Sequence, residues 1–307
     1  MEEMNQSQQH QNSAIKPIIP IRFIVKLGGA AITCKNEFEK INEEALETVS
    51  LQLRQAMMSG SSSGKSLGMD WSKRPGISET PSVDEDFRDQ PVFDSGSFIV
   101  VHGAGSFGHF QASRSGVHKG GLDQPLVKAG FVATRISVTS LNLEIVRALA
   151  RECIPSVGMS PFSCGWSTRE RNIVSADLSM VTKAIDSGFI PVLHGDAVLD
   201  ASLDCTILSG DVIIRHIAEQ LKPEFVVFLV SPVYDCHYHF LNSNKKKSNY
   251  INRPQILPCH ALLYICHFRW ASRFHLVRSQ VYLYYDLSRS HYSSDACESD
   301  FLTCYPI

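Results

Sequence analysis

The sequence predicts an α/β fold, with an open and mainly parallel sheet sandwiched by helices. Between about Arg22 and Val230, short apolar runs alternate with amphipathic stretches, which is the pattern of repeated strand–helix–strand units. Glycine-rich turns follow several of these runs, as the loops at the ends of parallel strands often do. The chain of 307 residues, 44% hydrophobic and 20% charged, is long enough to bury a large core.

The order of the predicted elements follows from length and periodicity. Five short apolar runs are predicted strands: Arg22–Leu27, Ser97–His102, Ile154–Met159, Ile190–His194 and Phe225–Val230. Four longer segments are predicted helices: Glu37–Met57, Leu126–Glu152, Ala176–Asp186 and Val212–Leu221. Ala197–Leu208 is predicted to be a hairpin whose turn runs from Asp200 to Asp204. On the second helix, four apolar side chains are assigned to the core, with the alternative that part of this stretch lines a substrate pocket: Phe131, Val132, Ile136 and Val138.

Composition divides the chain into three zones. Residues 1–20 are polar and are predicted to be a disordered N-terminus. Residues 21–230 form the predicted domain, interrupted at 59–96 by a serine-rich and then acidic stretch that we expect to be a disordered insertion. Residues 231–307 contain no glycine, although α/β turns normally use it, and show no lasting periodicity. This last zone is predicted to be a poorly ordered tail outside the domain.

Charge and hydropathy argue against several classes of partner. A formal net charge of -2 gives no reason to expect a nucleic acid. No apolar run approaches the length needed to cross a membrane, and the N-terminal residues lack a hydrophobic signal core. We therefore expect a cytoplasmic protein. The cysteines of the first 230 residues are scattered without metal-like spacing, so reduced thiols and no metal site are expected.

The first glycine turn is VKLGGAAIT, from Val25 to Thr33. Its paired glycines, Gly28 and Gly29, allow the backbone to approach an anion closely. Backbone N–H groups in such a turn can hold phosphate oxygens, and Lys26 adds a positive charge. The alternative is a plain strand-to-helix turn.

The second turn, VVHGAGSFGHF, spans Val100 to Phe110. Its glycines at 103, 105 and 108 match the dinucleotide-binding pattern G-x-G-x-x-G. That match is weak, because another glycine turn precedes it and the acidic residue at the expected distance, Asp123, lies in a turn. His102 at the start of this turn is predicted to be a buried structural histidine bonded to the backbone.

Two Gly-Asp pairs follow later strands, at Gly195–Asp196 and Gly210–Asp211. Asp211 opens a predicted helix, where a carboxylate is favourable, so a capping role is one interpretation. The functional interpretation is that Asp196 or Asp211 orients lysines or metal-bound water around a transferring phosphoryl group. Because the carboxyl ends of parallel strands share one edge, all these loops are expected to meet there.

These motifs together resemble a known family. KLGGAAIT, then HGAGSFGH, then LHGD and LSGD in this order are similar to the isopentenyl phosphate kinases of the amino-acid-kinase superfamily, and GHFQASRSGVHKGG is most similar to plant members. The resemblance covers roughly residues 21–230 and implies an amino-acid-kinase fold. It also implies ATP-dependent phosphorylation of isopentenyl phosphate to isopentenyl diphosphate, with Mg²⁺ carried by the nucleotide and a possible homodimer.

The resemblance further assigns roles to individual residues. His109 would bind the acceptor phosphate, with Ala104 and Gly210 near it. Lys35 matches a lysine that stabilises the transition state. The positions implied at the ATP phosphates are Lys26, Leu27, Gly28, Gly29, Ala30 and Gly105.

The chain departs from the family after about residue 229. The family's nucleotide-binding half is not recognisable in residues 230–307, so that half is missing or replaced, and a retained intron or a mispredicted exon would explain the change. Three functions therefore stay open: an isopentenyl phosphate kinase, a kinase for another small phosphate or phosphonate, and a truncated form that does not catalyse. A nicotinamide-dependent oxidoreductase is a remote fourth.

Overall fold

A computed structural model of the chain describes residues 20–57, 68–70, 98–230 and 262–267. The predicted disordered N-terminus lies outside these residues except for Pro20, and so do most of the predicted insertion and most of the predicted tail. The described part of the insertion packs on the domain, since the Met69 N–H donates to the Ala150 carbonyl at 2.7 Å.

The main sheet has six strands. They are β1 Phe23–Leu27, β2 Phe98–His102, β3 Ser156–Met159, β6 Ile190–His194, β9 Phe225–Val230 and β10 Leu262–His267. Their order is β10-β9-β1-β2-β6-β3. Neighbouring strands are parallel except for β10, which pairs antiparallel with β9. The predicted parallel α/β sheet is thus confirmed.

A second sheet and the helices complete the described fold. The second sheet has the order β5-β4-β7-β8 and is built from β4 Ser167–Arg169, β5 Asn172–Ser175, β7 Asp196–Asp200 and β8 Asp204–Leu208. The helices are α1 Gly29–Ile32, α2 Glu43–Met57, α3 Gly105–Ser115, α4 Pro125–Arg151, α5 Ser179–Asp186 and α6 Gly210–Leu221, with a 3₁₀ turn at Val117–Lys119.

Both faces of the main sheet are covered, which explains its unbroken apolar strands. Alternate residues of a strand point to opposite faces, so Val25 joins the core under α2 and α4 while its neighbour Ile24 joins the core under α5 and α6. Leu141 of α4 belongs to the first core and Ile213 of α6 to the second. The sheet is therefore held rigidly between two layers of helices.

The first long helix begins later than predicted. Residues 37–42 are irregular, because Thr33 and Ile41 form a β-bridge and Glu39 adopts a left-handed backbone with φ of 48°. Asn42 then caps α2 by accepting the N–H of Ala45 at 3.2 Å. Phe38, which lies inside the predicted helix, instead belongs to this irregular segment and is 56% exposed.

Two other sequence-based expectations need correction. Helix α5 begins at Ser179 rather than Ala176, because the carboxylate of Asp177 accepts the Ser179 N–H at 2.8 Å and holds a turn there. On α4, Val138 is fully buried, but Val132 and Ile136 are 54% and 64% exposed. The expectation that these two side chains belong to the core was wrong.

The predicted hairpin over Ala197–Leu208 is confirmed as the antiparallel pair β7–β8. Its turn is held by Asp200, whose carboxylate accepts the N–H groups of Ser202 and Leu203 at 2.9 and 3.0 Å. Burial alone would raise the pKa of Asp200, but these bonds and those from Arg171 and Thr168 hold the pKa well below its usual range. Among the described helices, none has the length and apolar character required to cross a membrane.

Candidate functional site

The loops at the carboxyl ends of three neighbouring strands meet at one cavity. The parallel register places the last residue of β1 beside that of β2, and His102 of β2 beside His194 of β6. The N-terminus of α6 closes the same edge. A cavity of about 250 Å³ lies between them and is lined by Lys26, Gly29, Gly103, Ala104, Gly105, His109, Gly195, Ile207, Leu208, Ser209, Gly210 and Asp211.

The first two glycine loops touch each other through their backbones. A Cβ added at Gly29 would lie 2.3 Å from the nitrogen of Gly105, and one at Gly103 would lie 3.0 Å from the nitrogen of Gly29. Gly105 also has φ of +51°, and a Cβ there would lie 2.4 Å from the Thr33 hydroxyl oxygen. Side chains larger than hydrogen are excluded here by space and by backbone conformation.

Backbone hydrogen bonds fix the loops relative to the sheet. The N–H of Gly28 donates to the Leu229 carbonyl at 2.8 Å, and that of Gly103 donates to the Leu27 carbonyl at 3.0 Å. The N–H of Gly195 donates to the His102 carbonyl at 3.0 Å. The loops after β1, β2 and β6 are therefore one connected framework rather than three independent turns.

Lys26 and Asp211 form an ion pair at the cavity wall. The Lys26 side chain is 14% exposed, and its ammonium lies 5.7 Å from the centroid of the Phe228 ring. Asp211 stands in the first turn of α6, but the helix cap is Ser209, whose hydroxyl accepts the Val212 N–H at 3.3 Å. The described surroundings of Asp211 are thus the ion pair with Lys26 and the first turn of α6.

His109 lies on α3, exposed at its surface, and lines the cavity together with Ala104 and Gly105. The chain thus gathers one lysine, one histidine and a wall made largely of glycine backbone. Such a wall suits an anionic ligand, because a cation, an imidazole and peptide dipoles can all approach it closely.

The structure places the other predicted site residues away from the cavity wall. Lys35 lies in the exposed turn between α1 and α2. The Leu27 side chain is buried in the core, and Gly28 and Ala30 lie beside the wall-lining Gly29. Asp196 is buried and ion-paired to Arg135, with a distance of 3.3 Å from the guanidinium Nε to the carboxylate.

Asp196 holds the loop after β3. Its carboxylate accepts the Ser160 hydroxyl at 2.6 Å and the Phe162 N–H at 3.3 Å. The Arg135 guanidinium lies over the Phe162 ring, 4.1 Å from its centroid. This ion pair, in which Asp196 is buried and Arg135 is partly exposed, connects α4 to the β3–β4 loop, next to Gly195 of the cavity.

His102 is fully buried, and its Nδ1 lies 3.0 Å from the carbonyl oxygen of Gly103, which confirms the structural role predicted for it. Burial, then the neighbouring His194, lowers the pKa of His102 to about 3. His194, which the sequence-based prediction missed, makes the same contact with the Gly195 carbonyl at 3.0 Å, and burial lowers its pKa as well. The repeated signal was visible as His-Gly in VVHG and VLHG.

Comparison with known proteins places this arrangement in a family. The profile of the amino acid kinase family matches residues 92–248, half of the chain. The chain belongs to the amino acid kinase family. The fold predicted from the sequence motifs is therefore confirmed.

Several proteins that are similar to this chain share the name isopentenyl phosphate kinase. The chain is 72% identical over 217 residues to isopentenyl phosphate kinase of Arabidopsis thaliana, covering 70% of this chain and 65% of that protein. It is 34% identical over 160 residues to isopentenyl phosphate kinase of Methanothermobacter thermautotrophicus, covering 49% of this chain and 60% of that one. A solved X-ray structure of isopentenyl phosphate kinase matches with a TM-score of 0.53 and 29% identity, covering 67% of this chain and 70% of that chain.

The expected resemblance to isopentenyl phosphate kinases is confirmed by these identities. The match spans just under two thirds of the length of the Arabidopsis relative. Within the described residues, no group of three or more histidine, cysteine, aspartate or glutamate side chains is arranged to hold a metal ion.

We predict that Gly29→Ala destabilises the fold by about 1–3 kcal/mol, because the new methyl group would overlap the Gly105 backbone. Gly195→Ala is the matched control, since a Cβ there would come no closer than 3.4 Å to its neighbours. Chemical denaturation of both variants measures the difference. Equal stability of the two would contradict the close packing of the loops.

We also predict that the free energy of unfolding falls at acidic pH because His102 is buried in its neutral form. Its pKa is about 3 in the folded protein, against an ordinary value of 6.5. Between these two pH values, the unfolded chain binds a proton at His102 and the folded chain does not. The stabilisation is complete above the ordinary pKa and is lost as the pH falls towards 3. In His102→Asn, the slope of the unfolding free energy against pH should become shallower by up to about 1.4 kcal/mol per pH unit between about pH 6 and pH 4. An unchanged slope would contradict a neutral buried ring.

Proposed function

We propose that this protein is an isopentenyl phosphate kinase, which transfers the terminal phosphoryl group of ATP to isopentenyl phosphate and forms isopentenyl diphosphate. The observation that carries the proposal is the cavity in which His109 and Lys26 share a glycine wall. The 72% identity over 217 residues to the Arabidopsis isopentenyl phosphate kinase supports it.

The residues present fit two phosphate groups. Five glycines of the cavity wall leave no side chain between the backbone and a ligand: Gly29, Gly103, Gly105, Gly195 and Gly210. We propose that Lys26 and the turn from Leu27 to Ala30 hold the ATP phosphates together with Gly105. The acceptor phosphate would lie against His109, Ala104 and Gly210.

Phosphoryl transfer depends mainly on positioning and charge neutralisation rather than on covalent help from the protein. In the proposed mechanism, His109 donates an imidazole N–H to the acceptor phosphate and holds it in place. Lys26 exchanges its bond with Asp211 for a bond with a transferring phosphate oxygen, and Asp211 keeps the ammonium aligned between turnovers. Mg²⁺ brought by the nucleotide would supply further neutralisation of phosphate charge.

Lys35 is proposed to complete this arrangement from the turn between α1 and α2. The turn is held near the site by two contacts, one from the Ser106 hydroxyl to the Lys40 carbonyl at 3.4 Å and one from the Ser137 hydroxyl to the Glu39 carboxylate at 2.7 Å. A modest movement of this exposed turn towards the cavity would bring a second cation to the transferring group, where it would stabilise developing charge.

A second candidate function is a form of the enzyme that binds phosphates without catalysis. The observation that favours it is the extent of the match, which reaches only 65% of the Arabidopsis relative. In such a form, the acceptor side of the site is intact. The nucleotide-binding half, which the resemblance leads us to expect after about residue 230, is missing or replaced. A kinase for another small phosphate or phosphonate is the alternative within the same class.

We predict that purified chain releases ADP from Mg-ATP only when isopentenyl phosphate is added. His109→Ala should lower the rate about hundredfold or more, because one hydrogen-bond donor to the reacting phosphate is lost. His109→Gln keeps an N–H donor and should retain more activity than His109→Ala.

The same assay separates the candidate functions. Isopentenyl phosphate binding measured by calorimetry, together with no ADP release, would favour the non-catalytic form. Release that is stronger with another alkyl phosphate or phosphonate would redirect the substrate assignment. Absence of both binding and release would contradict the proposal.

We further propose that the enzyme is a homodimer paired through α4. Three apolar side chains lie on one exposed stripe of this helix, Val132, Ile136 and Leu143, and they are 54%, 64% and 49% exposed. Their spacing of four and seven residues places them on a single helical face. A second copy of the same helix would bury such a stripe against itself.

Ile136→Glu is therefore expected to convert a dimer into a monomer, because a charge would be buried in the paired stripe. Leu199→Glu is the control, since Leu199 is likewise exposed, at 49%, but belongs to β7 rather than to α4. Light scattering after size-exclusion chromatography measures the mass of each. A wild-type monomer, or a dimer that survives Ile136→Glu, would contradict this pairing.

A further inference from the structure

Two histidines are buried behind the cavity wall, each at the last position of a parallel strand. His102 ends β2 and His194 ends β6, and they are direct neighbours in the register. Their ring centroids lie 5.6 Å apart, and the residues are 0% and 1% exposed. Each is followed directly by a glycine that lines the cavity. They are close enough to the site to shape it, but they do not line it.

Each ring binds the carbonyl of the glycine that follows it. The Nδ1 atom of His102 lies 3.0 Å from the Gly103 oxygen, and that of His194 lies 3.0 Å from the Gly195 oxygen. A carbonyl oxygen only accepts hydrogen bonds, so both Nδ1 atoms carry the proton. The two histidines are thus in the same tautomer and make the same local contact.

Asn142 of α4 fixes this tautomer in His102. Its side-chain nitrogen lies 3.0 Å from the His102 Nε2 and 3.0 Å from the Val192 carbonyl oxygen. The bond to Val192 identifies this atom as the amide nitrogen, which donates to both partners, so Nε2 of His102 must accept. Asn142 is 6% exposed, which leaves it little freedom to turn.

The hydrogen bond from His102 to the Gly103 carbonyl sets the direction of the next backbone N–H group, that of Ala104. A trans peptide is planar, so the carbonyl of Gly103 and the N–H of Ala104 point in opposite directions. Because the carbonyl is held at the buried ring, the N–H of Ala104 faces away from that ring, and Ala104 lines the cavity. The His102 carbonyl also accepts the Gly195 N–H, which ties the same residue to the next loop.

We propose that His102 is a positioning residue: its Nδ1–H tautomer, fixed by Asn142, holds the Gly103–Ala104 peptide so that an N–H group is presented to a phosphate in the cavity. This deepens the proposed function and rests on it for the nature of the ligand. His194 makes the matching contact with the Gly195 carbonyl, but the residue that follows, Asp196, does not line the cavity, so the proposal concerns His102 alone.

The ring must stay neutral for this arrangement to hold, because a proton on Nε2 would oppose the amide nitrogen of Asn142. Burial and the neighbouring His194 lower the pKa of His102 to about 3, so it is neutral in ordinary conditions. The charged groups that face His194 are Asp196 and Arg135, which act on its pKa in opposite directions, while burial dominates and lowers it.

A pair of substitutions separates positioning from structural support. Asparagine places an amide nitrogen near the position of the imidazole Nδ1, so His102→Asn keeps the donor to Gly103. Glutamine places its terminal atoms near Nε2, so His102→Gln keeps a partner for Asn142 but loses that donor. We expect His102→Gln to weaken the affinity for isopentenyl phosphate and for inorganic phosphate by about threefold to tenfold, and His102→Asn to keep it.

Calorimetric titration with both phosphates measures these affinities without requiring turnover. Ser50→Ala is the control for a buried polar loss elsewhere, since the Ser50 hydroxyl bonds the Leu46 carbonyl in α2 at 2.8 Å. Equal losses in both His102 variants, or no loss in either, would overturn the positioning role. Failure of the wild-type chain to bind either phosphate would instead contradict the proposed function.

If His102→Gln does not fold, the wild-type protein still provides a test. Long-range ¹H–¹⁵N spectra of the imidazole nitrogens distinguish the two neutral tautomers from the charged ring, and His102→Asn assigns the signal. We expect a neutral Nδ1–H ring for His102 below the ordinary histidine pKa. An Nε2–H tautomer, or titration near the ordinary value of 6.5, would overturn the inference.

Discussion

The contact between glycine backbones is the constraint on which the site depends. Gly29, Gly103 and Gly105 approach each other so closely that a single added Cβ would lie 2.3 Å from a neighbouring nitrogen. This contact brings the end of β1 against the start of α3 and leaves a wall without side chains. The parallel sheet makes the contact possible, because β1, β2 and β6 end at the same edge of the sheet. The cores on the two faces of the sheet then hold these strand ends in place.

The charges at the site follow from this geometry. Lys26 projects from a central strand and is largely enclosed, so it needs a nearby anion, and Asp211 at the start of α6 provides one. The same position suits a phosphate, because the helix start and the glycine wall both favour negative charge. His109 stands one turn into α3, where the close loop contact sets its distance from the wall. The buried His102 behind the wall keeps the Gly103–Ala104 peptide oriented without adding charge of its own.

Much of the fold could be predicted because the signals are local. The strands at Ile190–His194 and Phe225–Val230 have the predicted bounds, since buried parallel strands are short unbroken apolar runs. The hairpin β4–β5 was missed, because its turn places Glu170 and Arg171 at positive φ. Neither residue type favours that backbone conformation, so the sequence does not indicate a turn there. The start of α2 was missed because a bridge between Thr33 and Ile41 overrides a helical pattern.

In the site too, features that depend on a short motif could be predicted, and contacts between residues far apart in the sequence could not. Glycine loops with a lysine or histidine can be recognised along the chain, and the structure gathers Lys26, His109 and Gly210 at one cavity. Asp196 followed a glycine just as Asp211 did, yet it pairs with Arg135 of α4, 61 residues away. A contact of that kind depends on how the helix packs, which no short motif specifies. The role of His194 likewise depends on its register with His102, a relation between strands.

The most direct test of this account is a crystal structure of the chain with isopentenyl phosphate bound. The account predicts that the phosphate lies in the glycine-walled cavity, within hydrogen-bond distance of an imidazole nitrogen of His109 and of the Ala104 N–H. A phosphate bound elsewhere, or one in the cavity with His109 turned away and the Gly103–Ala104 peptide reversed, would contradict it.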